Sequence, residues 1–410
     1  MSPALRSSTL GLLVFACLLR PAPAAVEPAE ARPRILALAD LAVPPAMAPV
    51  EGAPVDGPRR AITFASLPWR GRETRVYAWL GVPENAPRPV PGVVLVHGGG
   101  GTAFREWVAK WNERGFAALS IAVEGQTDER VPDAPKGASA WRRHPQGGPA
   151  RNGIYGDAAE PLEDQFMYHA VGATIRARAL LGAQPGVDPA RIGVSGISWG
   201  GVITATVIGI DPRFAFAIPI YGCGHLHDAD NQWGAALGGL RLYREAWDPM
   251  VRLDRAKLPV LWLSWPGDTH FPLDCHAASY RAAPGPRMIS LIPGLRHGHP
   301  PGWNAPDGYA FAESVVRAGR PWGGQVAARE EGGRASVEFR SAHPLERAVL
   351  VSTTDRGFTG RRTWQETPAT LARNGATWTA SAPLPAGTTA WFLNARHGEL
   401  TLSSEYQERP

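Results

Sequence analysis

The stretch Arg191-Ile-Gly-Val-Ser-Gly-Ile-Ser-Trp-Gly-Gly-Val202 decides how the rest of the chain is read. Ile192 to Val194 is a short apolar run that suits a buried strand. The run breaks at Gly196-Ile197-Ser198-Trp199-Gly200, and Val202 to Ile210 resumes as an apolar helix. G-x-S-x-G at a strand-to-helix junction is a nucleophile elbow. Small residues beside the serine relieve crowding in a strained bend, and the bend lifts the Ser198 hydroxyl off the sheet edge beside the positive end of the helix. The pentapeptide by itself also fits an ordinary glycine-rich βα turn, so the partners of Ser198 have to decide.

Working outward, Thr74 to Gly81 reads as an early strand. Val93-Val-Leu-Val-His97 reads as a strand buried on both faces, ending in Gly98-Gly99-Gly100-Gly101. Phe104 to Arg114 has helical spacing, and Phe116 to Ile121 is the next strand. Glu124 to Asp157 is a long polar loop, of the length that compact domains keep for function. A helix over Glu163 to Leu181 leads to the elbow. Further strands follow at Phe214 to Tyr221, Pro259 to Trp265 and Arg287 to Ile292, with a closing helix from Asp307 to Ala318. This alternation predicts an α/β fold with a mostly parallel sheet covered on both faces over residues 71–323. Residues 25–70, rich in Ala, Pro and Val, read as a leader either extended over the domain or partly disordered. Past Trp322 only short alternating runs remain, which predicts a small C-terminal β-sandwich over residues 330–410, packed on the larger domain through a short connection.

A serine nucleophile needs a base and a group to orient it. Downstream strands run into Pro266-Gly267-Asp268 and into Pro293-Gly-Leu-Arg-His297-Gly-His299. Asp268 is therefore the candidate acid, with Asp274 as fallback. His297 is the candidate base, with His299 as its competitor; failing that role, His299 lines the pocket or supports the loop. The glycines after His97 offer unobstructed N–H groups, so Gly99 and the N–H of Trp199 form the candidate oxyanion hole while His97 braces the turn. The glycine run lacks the Lys-Ser/Thr ending of a phosphate loop. Trp265 and Trp303, with His299, are the candidate substrate-binding residues, whether by stacking on a sugar ring or by lining an apolar pocket. His225 and His227 with Asp228 and Asp230 are read as an incidental cluster, so no metal and no cofactor are expected.

Hydrophobic content of 44% with 19% charged residues describes a globular chain, and a net charge of +5 spread over scattered arginines does not suggest nucleic acid. Residues 1–24 read as a secretory signal. Arg6 is followed by the apolar run Leu10 to Leu19 and Ala22-Pro23-Ala24, and the run is too short to span a membrane. A lipoprotein reading at Cys17 is the weaker alternative. Export then leaves Cys223 and Cys275 either as a disulfide or as two buried thiols that never meet.

The chain resembles secreted bacterial α/β hydrolases of the acetylxylan esterase and dienelactone-hydrolase-like kind, within the prolyl-oligopeptidase-like esterases. The likeness rests on His97 to Thr102, Gly193 to Gly201, Ala217 to Gly224, Gly267-Asp268 with Phe271-Pro272-Leu273, His297-Gly-His299 and Leu400 to Tyr406. The resemblance implies an ester hydrolase with a serine nucleophile and a small C-terminal β-domain, acting on an ester of a small molecule or polysaccharide. Dienelactone hydrolases proper have cysteine where this chain has Ser198. A peptidase of the same fold and a non-catalytic carbohydrate-binding protein are the rival readings.

Overall fold

The computed structural model describes residues 26–135 and 139–409; the signal-peptide and Cys17 readings fall outside them. Helix α1 (Pro28–Leu36) is followed by β1 (Met47–Pro49), β2 (Arg59–Ala65), β3 (Arg75–Gly81), β4 (Val90–Val96), α2 (Arg105–Asn112) and β5 (Ala117–Ile121). A small hairpin, β6 (Gln126–Arg130) and β7 (Trp141–Arg143), precedes α3 (Phe166–Gly182). Then come β8 (Val187–Ile197), α4 (Trp199–Val207), β9 (Ala217–Ile220), α5 (Gln232–Leu237), β10 (Val260–Ser264), α6 (Leu273–Ala282), β11 (Arg287–Leu291), α7 (His299–Asn304) and α8 (Pro306–Ala318).

One nine-stranded sheet in the order β1-β2-β3-β5-β4-β8-β9-β10-β11 carries the fold. Strands β5 to β11 in this order are parallel, and β1, β2 and β3 form an antiparallel margin. The strand order reverses at β4 and β8, whose ends are in register, Val96 opposite Gly196. The loops leaving the two strands therefore emerge side by side, the place where open α/β sheets hold their ligands. The apolar β-branched run Val93 to Val96 is fully buried, as its two-faced burial predicted.

The leader is more ordered than its composition suggested. Ile62 and Phe64 of β2 and Ala31 and Ile35 of α1 are buried, so residues 47–65 add two strands to the sheet instead of lying over it as an extended segment. Alternation in Arg59 to Ala65 is the signal, obscured by the proline-rich residues before it.

The C-terminal strands are β12 (Gly323–Glu331), β13 (Arg334–Ser341), β14 (Arg347–Thr353), β15 (Gln365–Asn374), β16 (Thr377–Pro383), β17 (Ala390–His397), β18 (Leu400–Ser403) and β19 (Gln407–Glu408). They form one continuous antiparallel sheet in place of the two separate sheets of a sandwich. Strand β15 explains why: its first half pairs with β14 and its second half with β16, so the sheet curls without a break. Val337, Phe339, Leu350, Ala380 and Phe392 fill the curl.

This sheet docks on β11 through buried polar pairs. Leu291 N–H donates to Ser403 Oγ at 2.8 Å, Ser290 Oγ donates to the Thr401 carbonyl at 2.7 Å, and Asn394 Nδ2 donates to the Leu291 carbonyl at 2.9 Å. Cys223 and Cys275 are separate buried thiols, and the Cys275 S–H donates to the His225 carbonyl at 3.2 Å. No described helix is long and apolar enough to cross a membrane.

Candidate active site

Strand β8 ends at Ile197 and α4 begins at Trp199, so Ser198 makes the turn alone, at φ 58° and ψ −116°. Such a conformation persists only where its surroundings hold it. Here they do: a Cβ on Gly196 would stand 2.0 Å from the Gly200 carbonyl oxygen, and one on Gly200 would stand 2.0 Å from that of Val96. The two glycines of the pentapeptide let the helix start pack directly on its own strand and on β4.

Ser198 Oγ lies 3.0 Å from His297 Nε2, and His297 Nδ1 lies 2.8 Å from Asp268 Oδ2. Asp268 is buried, and its Oδ1 accepts the N–H groups of His270 at 2.8 Å and Phe271 at 2.9 Å. Its second oxygen is thereby committed to the imidazole. The ring of His297 stacks on Phe271 at 5.8 Å and packs against Tyr221 at 4.6 Å. Tyr221 also donates its hydroxyl to the Arg296 carbonyl at 2.7 Å, which pins the loop that carries the histidine. Burial pushes the Tyr221 phenol up, so it stays a neutral donor. Asp274 does not compete: it stands in α6, where Oδ1 accepts from Thr359 Oγ1 at 3.2 Å.

The glycine turn after β4 is held from both sides. His97 Nδ1 donates to the Gly98 carbonyl at 2.7 Å, and its Nε2 accepts from Val123 N–H at 3.0 Å. Burial lowers its pKa to about 4, so it is a neutral brace, as the sequence suggested. Gln126 reinforces it by donating to the Gly101 carbonyl at 2.8 Å. On the other side His299 Nε2 accepts Gly98 N–H at 2.9 Å, and burial likewise lowers its pKa to about 4. Of the two competing histidines, His297 reaches the serine and His299 supports the turn. Gly99 lies beside Trp199: a Cβ there would be 3.1 Å from Cδ1 of the indole. The Trp199 N–H opens α4, where the helix offers it no acceptor.

Trp303 lines a neighbouring cleft of about 620 Å³ with Phe104, Arg105, Arg130 and Trp141, a cleft to which Ser198, Asp268 and His297 do not contribute. Trp141 Nε1 donates to the Gly100 carbonyl at 2.9 Å, which ties the hairpin to the glycine turn. Trp265, in contrast, folds over its own loop, where a Cβ on Gly267 would meet its ring at 2.5 Å. It is not among the residues lining that cleft. Two residues that sequence reasoning passed over stand at the site. The Arg151 guanidinium sits 5.4 Å over the Trp199 ring and pairs with Glu124 at 3.1 Å. Both lie in the long polar loop, where no periodicity marks one residue over another. The structure also gathers His225, His227 and Asp228, while Asp230 is not part of the group.

Fold and site together define an α/β hydrolase. Residues 53–231 match the family model described as acetyl xylan esterase. Among solved structures, the chain is similar to an acetyl xylan esterase from Paenibacillus sp. R4, at 23% identity and a TM-score of 0.52, covering 69% of this chain and 92% of that one. It is also similar to acetyl xylan esterase 1 from Thermoanaerobacterium sp. JW/SL YS485, at 17% identity and a TM-score of 0.51, covering 68% and 90%. No curated protein matches. The chain thus resembles the acetyl xylan esterases and their α/β-hydrolase relatives, and the class these findings support is a carboxylic ester hydrolase.

Proposed function

We propose that the chain is an exported serine esterase that removes acetyl groups from plant cell-wall carbohydrate. The observation that carries this reading is the hydrogen-bond chain from Ser198 through His297 to Asp268. Ser198 attacks the ester carbonyl while His297 Nε2 takes its proton, and the same nitrogen returns it to the leaving alcohol. Asp268 orients the imidazole and stabilises its charged form. The N–H groups of Gly99 and Trp199 receive the oxyanion, aided by the positive end of α4. Water activated by His297 then clears the acyl-serine, and this ester chemistry needs no cofactor. The catalytic domain in this reading is residues 71–323 together with the leader strands β1 and β2 that join its sheet, with the C-terminal strands as an accessory module.

Acetylated carbohydrate is favoured by the acetyl xylan esterase match and by the aromatic rings of Phe104 and Trp303, which pack on His299 at 4.9 and 6.2 Å beside the glycine turn. Export rests on residues 1–24 alone, and N-terminal sequencing of secreted protein starting near Ala25 checks it. For the chemistry, Ser198→Ala should leave a folded protein whose hydrolysis of p-nitrophenyl acetate, and acetate release from acetylated xylan, fall by about 10⁴-fold or more. More than about a tenth of the activity left in pure protein would overturn the assignment.

A further inference from the structure

After β9 the chain turns sharply through Gly224 and His225, the latter at φ 61°. The turn presents His225, His227 and Asp228 to one point: one donor atom from each lies within 4.8 Å of the others. His225 Nε2 stands 3.2 Å from Asp228 Oδ2, and His227 Nε2 stands 3.6 Å from Asp228 Oδ1. Ligands held about 2.0–2.1 Å from a tetrahedral Zn²⁺ lie roughly 3.3–3.5 Å apart, so donor atoms already within 4.8 Å of one another need only a small closure to reach that spacing.

The second observation lies behind the donors. Asp248 is buried in the segment 224–258, and its Oδ2 is 3.1 Å from His227 Nδ1. The same carboxylate accepts the N–H groups of His225, at 3.0 and 3.1 Å, and of Met250, at 3.0 Å. Asp248 therefore sets the turn and engages Nδ1 of His227, which leaves Nε2 on the side of Asp228. A carboxylate behind the distal nitrogen of a histidine is the usual support of a metal-bound imidazole. The donors are accessible, since the side chains of His225 and Asp228 are 37% and 61% exposed.

We propose that His225, His227 and Asp228 form a binding site for a divalent transition metal of the Zn²⁺ type, with Asp248 as the residue that orients His227. Two imidazoles and one carboxylate leave a fourth position to water. The site is separate from Ser198 and does not depend on the esterase reading. A cation there braces the turn after β9, which His227 already ties to Asp248.

The test uses the full mature chain stripped by chelator and dialysed, then titrated calorimetrically with Zn²⁺ alone. One ion per chain should bind at micromolar or lower concentration, raise Tm in a concentration-dependent way, and leave p-nitrophenyl acetate hydrolysis unchanged. Co²⁺ in its place should give the visible bands of a low-coordinate site. His227→Ala and Asp228→Asn should each weaken binding at least about 10²-fold, and Asp248→Asn about 10- to 100-fold. Asp228 is exposed, so its variant remains folded even if Asp248→Asn does not. Absence of stoichiometric binding at about 100 μM Zn²⁺, or binding that survives His227→Ala and Asp228→Asn, overturns the proposal.

Discussion

Gly98 gives its backbone N–H to Nε2 of His299, 2.9 Å away, across 201 residues of chain. The second histidine of the His297-Gly-His299 motif thus belongs to the glycine turn, and only the first reaches the serine. Their neighbours agree: a Cβ on Gly101 would stand 2.7 Å from the same Nε2. His299→Ala removes the acceptor that holds Gly98 beside Gly99. We expect kcat to fall by up to about 10²-fold with KM changed much less, because the loss is of placement in the oxyanion hole and not of substrate contact. His299→Gln, which keeps an acceptor, should recover part of the loss. A change confined to KM, or no recovery with Gln, assigns His299 to the substrate pocket instead.

Gly200 is the residue that lets α4 seat on β4. A Cβ at this position would meet backbone, the Val96 oxygen at 2.0 Å and the His97 oxygen at 2.7 Å, neither of which can move aside as a side chain can. Gly200→Ala should therefore destabilise by about 1–3 kcal/mol or more, read from urea unfolding. Gly100→Ala is a useful control: nothing lies within 4 Å of its Cβ position, and only its φ of 71° opposes the change. Its cost should be near 1 kcal/mol.

The elbow, the acid loop and the histidine loop were legible because each is a short motif at the end of a short, largely apolar stretch of strand. Ser198, Asp268 and His297 could be named from that pattern, and so could the brace at His97. What escaped has a common cause. Arg151 and Glu124 meet across 27 residues of loop, Tyr221 reaches Arg296 across 75, and no local pattern encodes such distances. Trp265 was placed by its position after a strand, but the side chain turned back onto Gly267. The curl of the C-terminal sheet was hidden for another reason. Strand β15 alternates like any strand, and nothing in its residues announces that half of it changes partner.

Asp307 carries a pH dependence. It is fully buried at the junction of α8, β11 and β18, where Oδ1 accepts from Thr401 N–H at 2.8 Å and lies 3.0 Å from Ser290 Oγ. Burial raises its pKa to about 6 from the ordinary carboxylate value of 3.8, the hydrogen bonds opposing the rise. A carboxyl that holds its proton more tightly when folded favours the native state below about pH 4. That contribution is lost as pH rises through about 6, and across the interval it amounts to at most about 3 kcal/mol. Asp307→Asn has no such titration. The stability of the variant minus that of the wild type, from urea midpoints at pH 4, 5, 6 and 7, should shift toward the variant with rising pH and level off above about 7. A difference independent of pH would refute the linkage.

The same junction makes the C-terminal sheet part of the folded unit. Leu291 N–H, Ser290 Oγ and the Leu291 carbonyl are satisfied by Ser403, Thr401 and Asn394, all buried. Gly360 presses on the acid loop itself, where a Cβ would be 2.3 Å from the Asp268 carbonyl oxygen. Truncation after Trp322 would strip these partners from the edge strand β11 and uncover apolar surface, and each buried polar group left without its partner costs about 1–3 kcal/mol. The truncate should be recovered aggregated, not as soluble active enzyme. The milder Ser403→Ala removes one acceptor from Leu291 and should lower stability by about 1–3 kcal/mol while kcat stays within about twofold. A soluble, fully active truncate would show that the sheet rests on the hydrolase fold without supporting it.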